Sequence, residues 1–258
     1  MSYTDSYAEQ AAAEQATATI AGAHAAMRDV SRPLGTALGQ AGAYLDANLS
    51  PEGLQVERER LAAAARAAAG PRLEQLRAQV LLAAQVLSRQ AAAALPKAGT
   101  DANATAQTAA RWQAALMILT AGKPLRDVLA TADVATLHAL AQYGPSWEEA
   151  RTYRPPTLGE ALNPGPAPDH GPLMRSVDAR LAALAGPKAV AALAAAREAN
   201  AVRAGIEVKG NHLAAVIAGT ATRPDELSVA LAAADAEQAA REGLSEQAPV
   251  SDTAPAAG

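Results

Sequence analysis

Between Arg72 and Arg89 the positions Leu73, Leu76, Val80, Ala84 and Leu87 recur at spacings of three and four, while Arg72, Glu74, Gln75 and Arg89 fall between them. That repeat places the apolar residues on one face of a helix of 3.6 residues per turn, the pattern of a helix packed against a core. Leu173, Val177, Leu181 and Leu184 repeat it, up to a stop at Gly186-Pro187. Trp112, Leu116 and Leu119, joined by Met117 and Ile118, form the most apolar segment of the chain, which is therefore expected near the centre of the fold. No run stands out with the period of two that a strand requires.

Glycine and proline punctuate these stripes. A weakly apolar helix is expected from Tyr3 to about Val30, with Pro33 starting a new turn and a short helix through Leu34, Leu38 and Tyr44. Ser50 is suited to cap the next helix and Pro51 to open it, and Gly70-Pro71 is expected to divide that stretch in two. Thr100 or Asp101 can cap the Trp112 helix, Gly122-Lys123-Pro124 closes it, and a short helix from Leu125 to about Ala130 precedes one capped by Asp133. Gly144-Pro145-Ser146 is expected to cap a short helix from Trp147. Beyond Gly186-Pro187 the pattern predicts an Ala-rich helix to about Gly205, one around Leu213, Val216 and Ile217, and one from Pro224 through Leu231. No sustained a and d heptad is read anywhere, which argues against a long parallel coiled coil.

Pro155, Pro156, Pro164, Pro166, Pro168 and Pro172, with Gly159, Gly165 and Gly171, exclude a continuous helix from Tyr153 to Pro172. The fold expected is thus all-α: an Ala-rich multi-helix bundle in two lobes separated by a Pro/Gly-rich break, with a flexible acidic C-terminal tail. The expected parts are an N-terminal helical arm (1–48), a central helical domain (49–153), the linker (154–172), a C-terminal helical domain (173–243) and a disordered tail (244–258).

Composition sharpens this picture. Hydrophobic residues make up 50% of the 258, yet aromatics only 3%, there is no Phe, and more than a quarter of the residues are Ala. Burial stabilises by roughly 25 cal/mol per Å² of apolar area, and Ala offers one methyl group. Helices of this kind gain from close approach, length or several neighbours, and so favour tight bundles or oligomers. The formal charge of -4 is uneven: from Asp225 onward seven acids face Arg241 alone, leaving +2 on residues 1–224. Positive residues are interleaved with acids, as in Glu57-Arg58-Glu59-Arg60, so no basic tract points to specific nucleic-acid binding. The absence of cysteine excludes disulfide, thiolate and Cys-metal chemistry. Met1-Ser2-Tyr3-Thr4-Asp5-Ser6 lacks a signal-peptide pattern and no long run of large apolar residues could span a bilayer, so a cytosolic protein, incorporated into a particle or not, is expected.

Candidate chemistry is sparse. His24, His138, His170 and His212 are too far apart for paired-imidazole zinc spacing. Ala121-Gly122-Lys123-Pro124 fails as a phosphate loop because Met117 stands where Gly is needed and Pro follows the Lys. Pairs such as Glu148-Glu149 point to different helix faces and read as solvated surface. No catalytic, cofactor-binding or metal-binding residue is assigned, no cofactor or small-molecule substrate is expected, and the chain is not read as an enzyme. Tyr143, Trp147 and Tyr153 place three of the seven aromatics within eleven residues beside the Pro-rich break. They read as a local patch pinning the loop or, since Trp and Tyr dominate binding hot spots, as a partner-binding site.

Two stretches carry a resemblance. Asn48-Leu49-Ser50-Pro51-Glu52-Gly53 leads into an Arg- and Ala-rich helical stretch through Leu87, and Leu125-Arg126-Asp127-Val128-Leu129 continues through Asp133, Leu137 and Leu140 to the Tyr143–Trp147 segment. Together they resemble helical proteins encoded in the structural-gene regions of tailed phages of high-GC, actinobacteria-like hosts. The resemblance implies a non-enzymatic virion or head-morphogenesis role through contacts with protein partners or with copies of itself, and carries over no functional residue. A cellular helical adaptor or regulatory protein is the alternative.

Overall fold

Alanine loses no side-chain entropy on entering a helix, and helix accounts for 88% of the residues that the structure, a computed structural model, describes. Those residues are 3–153, 170–221 and 226–242. They form eight helices and no strand: α1 (Tyr3–Ala43), α2 (Pro51–Ala94), α3 (Ala102–Thr120), α4 (Leu125–Thr131), α5 (Val134–Thr152), α6 (Gly171–Ala185), α7 (Pro187–Ala218) and α8 (Glu226–Glu242). The all-α expectation holds. Most of the expected break, residues 154–169, and the expected tail, 244–258, lie outside the described residues.

Several helices run longer than their prolines and glycines suggest. α1 passes through Pro33, α2 through Pro71 and α5 through Pro145, while α7 continues past Gly205 and Gly210. A helix-interior proline removes one hydrogen bond and crowds the carbonyl four residues back. Pro33 and Pro71 are exposed, as are Asp29 and Ala67 four residues before them, so water can satisfy the carbonyls left over. The opposite face is buried on both sides of each proline, by Val30 and Leu34 around Pro33 and by Ala69 and Leu73 around Pro71. Packing across the break outweighs the local penalty.

Contacts gather the chain into two compact units, one from Met1–Gln90 and Ala195–Arg241, the other built around Ala91–Ala194. The division falls inside α2 and α7, so residues 49–153 and 173–243 each contribute to both units. The expected N-terminal arm belongs to the first unit. Its helix α1 buries Ala13, Ala16, Ile20, Ala23, Met27, Val30, Leu34 and Ala41. The steps of three and four from Ala13 to Leu34 form an a/d heptad series, which corrects the expectation that none exists. Alanine at three of the seven positions hides the series from a reading that weights large apolar residues.

Within the first unit α2 and α7 pair antiparallel. Arg66 lies against Gly219 and Gly70 against Ile217. The Arg77 guanidinium donates to the Asn211 side-chain oxygen, and Asn200 Nδ2 donates to Ser88 Oγ at 3.3 Å. Between Ala195 and Ile217 only Glu198, Glu207 and Asn211 are exposed, so this Ala-rich stretch has neighbours on most sides. Ala199, Ala201, Val202 and Ile206 are its buried centre. One of those neighbours is α8, joined through Arg241 to Glu198.

The second unit is built on Leu137 and Leu140 of α5, neither exposed at all, packed with Leu173, Val177 and Leu181 of α6, Ala115 and Leu119 of α3 and Val128 of α4. The Leu173 side chain of α6 lies close against α5 at Gly144, where an added Cβ would stand 2.7 Å from Leu173 Cδ2. Capping follows the sequence: Asp101 accepts from the Ala104 N–H at 2.7 Å and Asp133 from the Thr136 N–H at 2.8 Å. Gly122 (φ 89°) and Gly186 (φ 106°) lie in the backbone region that side chains disfavour, just beyond α3 and α6.

Candidate functional site

The aromatic residues singled out in the sequence separate into two kinds of position. Tyr143 stacks on Trp112 with ring centroids 5.7 Å apart, tying α5 to α3. Trp147 packs partly buried against the core of the second unit, and the Arg151 guanidinium lies 5.2 Å from its ring centroid. Only Tyr153, 73% exposed, reaches fully into solvent. Tyr143 and Trp147 thus contribute to the packing of the second unit, while Tyr153 follows the end of α5 in solvent.

The same end of α5 holds a histidine that sequence spacing left without a partner. His170, at the N-cap of α6, places Nε2 2.9 Å from Glu149 Oε1 and Nδ1 3.7 Å from Glu148 Oε2. The hydrogen bond to Glu149, supported by the second carboxylate, holds the imidazole above its ordinary pKa. This arrangement fastens the start of α6 to the end of α5. Among the described residues no group of three or more His, Cys, Asp or Glu side chains is placed to hold a metal ion.

The first unit has its own polar cluster. Arg241 makes a bidentate pair with Glu198 at 2.8 and 2.9 Å and stands 3.6 Å from Glu237, whose carboxylate lies 3.3 Å from His24 Nε2. The Arg241 hydrogen bonds lower the Glu198 pKa and raise that of Arg241. Glu237 occupies space that a side chain at Gly205 would fill. The cluster joins α1, α7 and α8, and its charges are satisfied by one another.

The strongest departure from the sequence reading lies on α3. Trp112 and Leu119 face the core as expected, Ala115 takes the buried place expected of the half-buried Leu116, and Met117 is 72% and Ile118 43% exposed, so the placement of this helix at the centre of the fold is corrected. A residue every 100° puts Met117 on the outward side with Ala106, Ala110, Gln113, Ala114 and Ala121, all exposed. None of these is charged. The single charged residue of α3, Arg111, lies at the margin of that face, 3.2 Å from Asp133. A signal was present in the sequence: Leu116, Met117, Ile118 and Leu119 make one turn of α3 apolar on all sides, and periodicity alone cannot say which side has a neighbour.

A second apolar surface lies in the first unit, where Leu81 and Leu82 of α2 border a shallow groove with Gln85, Arg89, Asn200 and Arg203. No described helix is long and apolar enough to cross a membrane. No protein-family profile, curated protein or solved structure matches this chain.

Proposed function

We propose that this chain is a structural or assembly protein that acts through protein–protein contacts, and that its setting is the particle or head morphogenesis of a tailed phage. The observation that supports the contact role is the outward face of α3, where Met117 and Ile118 stand exposed on a helix already apolar toward its core. A helix apolar all round belongs in an interior, and a solvent-facing patch of this kind marks an interaction site. The residues 48–87 and 125–147 that resemble phage structural-region proteins support the setting.

Copurification decides it. Particles and head precursors from the producing host are separated on a density gradient and examined by mass spectrometry. The chain is expected in a particle or precursor fraction in several copies, with Met117→Glu lowering its incorporation. Its absence from every such fraction, with recovery in a stable complex with a host protein, would replace the phage reading with that of a cellular adaptor.

A further inference from the structure

We infer that α8 is a detachable strap: it lets go of α1 and α7 while the rest of the first unit stays folded, and an ionic latch at its C-terminal end sets how often it does so. The other helices of that unit are held by aliphatic packing. α1 buries Ile20, Met27, Val30 and Leu34, α2 buries Leu73, Leu76, Val80 and Leu87, and α7 buries Val202, Ile206, Leu213 and Val216. Among the described side chains of α8, from Val229 to Arg241, only Ala233 is buried, while Val229, Ala236 and Ala240 are half-buried and Leu231 is exposed. Apolar burial stabilises in proportion to area, so one alanine methyl and a few partly covered neighbours hold a helix weakly.

The remainder of the hold is polar and gathered at one place. Glu237 fills the notch at Gly205, where an added Cβ would stand 2.5 Å from its Cγ, and its carboxylate lies 3.3 Å from His24 Nε2 of α1 and 3.6 Å from Arg241. One turn further on, Arg241 forks onto Glu198 of α7 at 2.8 and 2.9 Å. Glu198, Ala201 and Gly205 follow one another at steps of four and three, so they share one side of α7, and the small residues there let α8 lie close without interlocking.

Glu198 and Arg241 are each about half exposed, so dissolved ions screen their attraction. The buried aliphatic contacts of α1, α2 and α7 do not weaken in the same way. Salt therefore loosens α8 and spares its neighbours. Once released, a helix of 17 residues has little stability of its own in water, so its amides open to exchange. Opening uncovers the Gly205 notch of α7 and the His24 side of α1, a face of the unit that is closed while the strap is down.

Native-state hydrogen exchange on the full chain, read by mass spectrometry, compares α8 with the centre of α7 from Ala199 to Ile206. α8 is expected to exchange at least about tenfold faster than that centre, because it opens without global unfolding. Raising salt from about 0.1 M to about 1 M, where the Debye length falls from about 10 to about 3 Å, should speed α8 about two- to tenfold and leave the α7 centre unchanged. Arg241→Ala should give a similar acceleration at low salt and remove most of the response to salt. The chain has no cysteine, so Gly205→Cys combined with Glu237→Cys supplies a pin. The two Cβ atoms stand no more than about 4 Å apart, within reach of a disulfide. Oxidation of that variant should slow α8 exchange at least about tenfold relative to its reduced form. A common exchange rate for α8 and the α7 centre overturns the strap, as does α8 exchange that is indifferent to both salt and Arg241→Ala.

Discussion

Gly205→Ala sets helix propensity against packing. In a helix interior this replacement ordinarily stabilises by about 0.8–1.0 kcal/mol, since alanine loses less backbone entropy. At Gly205 the new Cβ would stand 2.1 Å from Glu237 Oε1 and 2.5 Å from its Cγ. Relief requires the Glu237 side chain, 12% exposed, to swing outward and leave His24 at 3.3 Å and Arg241 at 3.6 Å. Losing the partly shielded ion pair with Arg241 and the polar contact with His24 costs about 0.2–1 kcal/mol each, and incomplete relief adds overpacking strain of about 1–3 kcal/mol. The net effect is therefore expected to range from near neutral, where relief is complete, to a loss of about 4 kcal/mol, where it is not. Gly22 is the control, because it lies exposed in α1 with nothing within 4 Å of an added Cβ. Gly22→Ala should show the full gain of about 1 kcal/mol. Urea unfolding with a shared m-value measures both. In a Glu237→Ala background Gly205→Ala should recover the gain, since the obstructing side chain is absent. Equal stabilisation by both replacements in the parent protein would refute the reasoning.

Two further outcomes are expected. Asp133→Ala removes the acceptor of the Thr136 N–H and should cost about 0.5–2 kcal/mol in urea unfolding; because hydrogen bonds from the Thr136 side chain and its N–H hold the Asp133 pKa below its ordinary value, the contribution is present above that value and fades as pH falls through the lowered one. His170 runs the other way, since its pKa in the folded protein is raised: its pairing with Glu149 and Glu148 stabilises fully below about pH 6.5 and is lost as pH climbs through the raised value. Thermal melts of the parent and of His170→Ala should therefore converge as pH rises from 5.5 toward 8.5, and a gap that widens would show the pairing to be absent.

The helical class was legible because alanine-rich segments with stripes at three and four residues have one low-energy local structure. Asp101, Asp133 and Gly186 were legible as punctuation, and each stands at a helix boundary in the structure. Pro33, Pro71 and Pro145 misled for the opposite reason, because a local rule cannot see the buried turns on both sides that carry a helix across its own proline. The heptad of α1 went unread because alanine occupies Ala13, Ala16 and Ala23 where the eye seeks leucine. The His170 pairing joins residues 21 apart, beyond the reach of helical spacing. Met117 and Ile118 were read as core because apolar character marks what a residue prefers and not what the fold supplies.

The first unit is interrupted in sequence, and synthesis proceeds from one end. Ser88 meets Asn200 across 112 positions and Arg77 meets Asn211 across 134. At about 5–20 residues per second, α2 spends on the order of ten seconds outside the ribosome before the stretch of α7 that covers it is made. The residues around Ala91–Ala194 are contiguous, and their core among α3, α5 and α6 can close during that delay. A nascent chain thus holds one finished core while the side of α2 that carries Gly70, Arg77 and Ser88 still waits for α7, and that interval is when a chaperone, or a neighbouring nascent copy, has access to it.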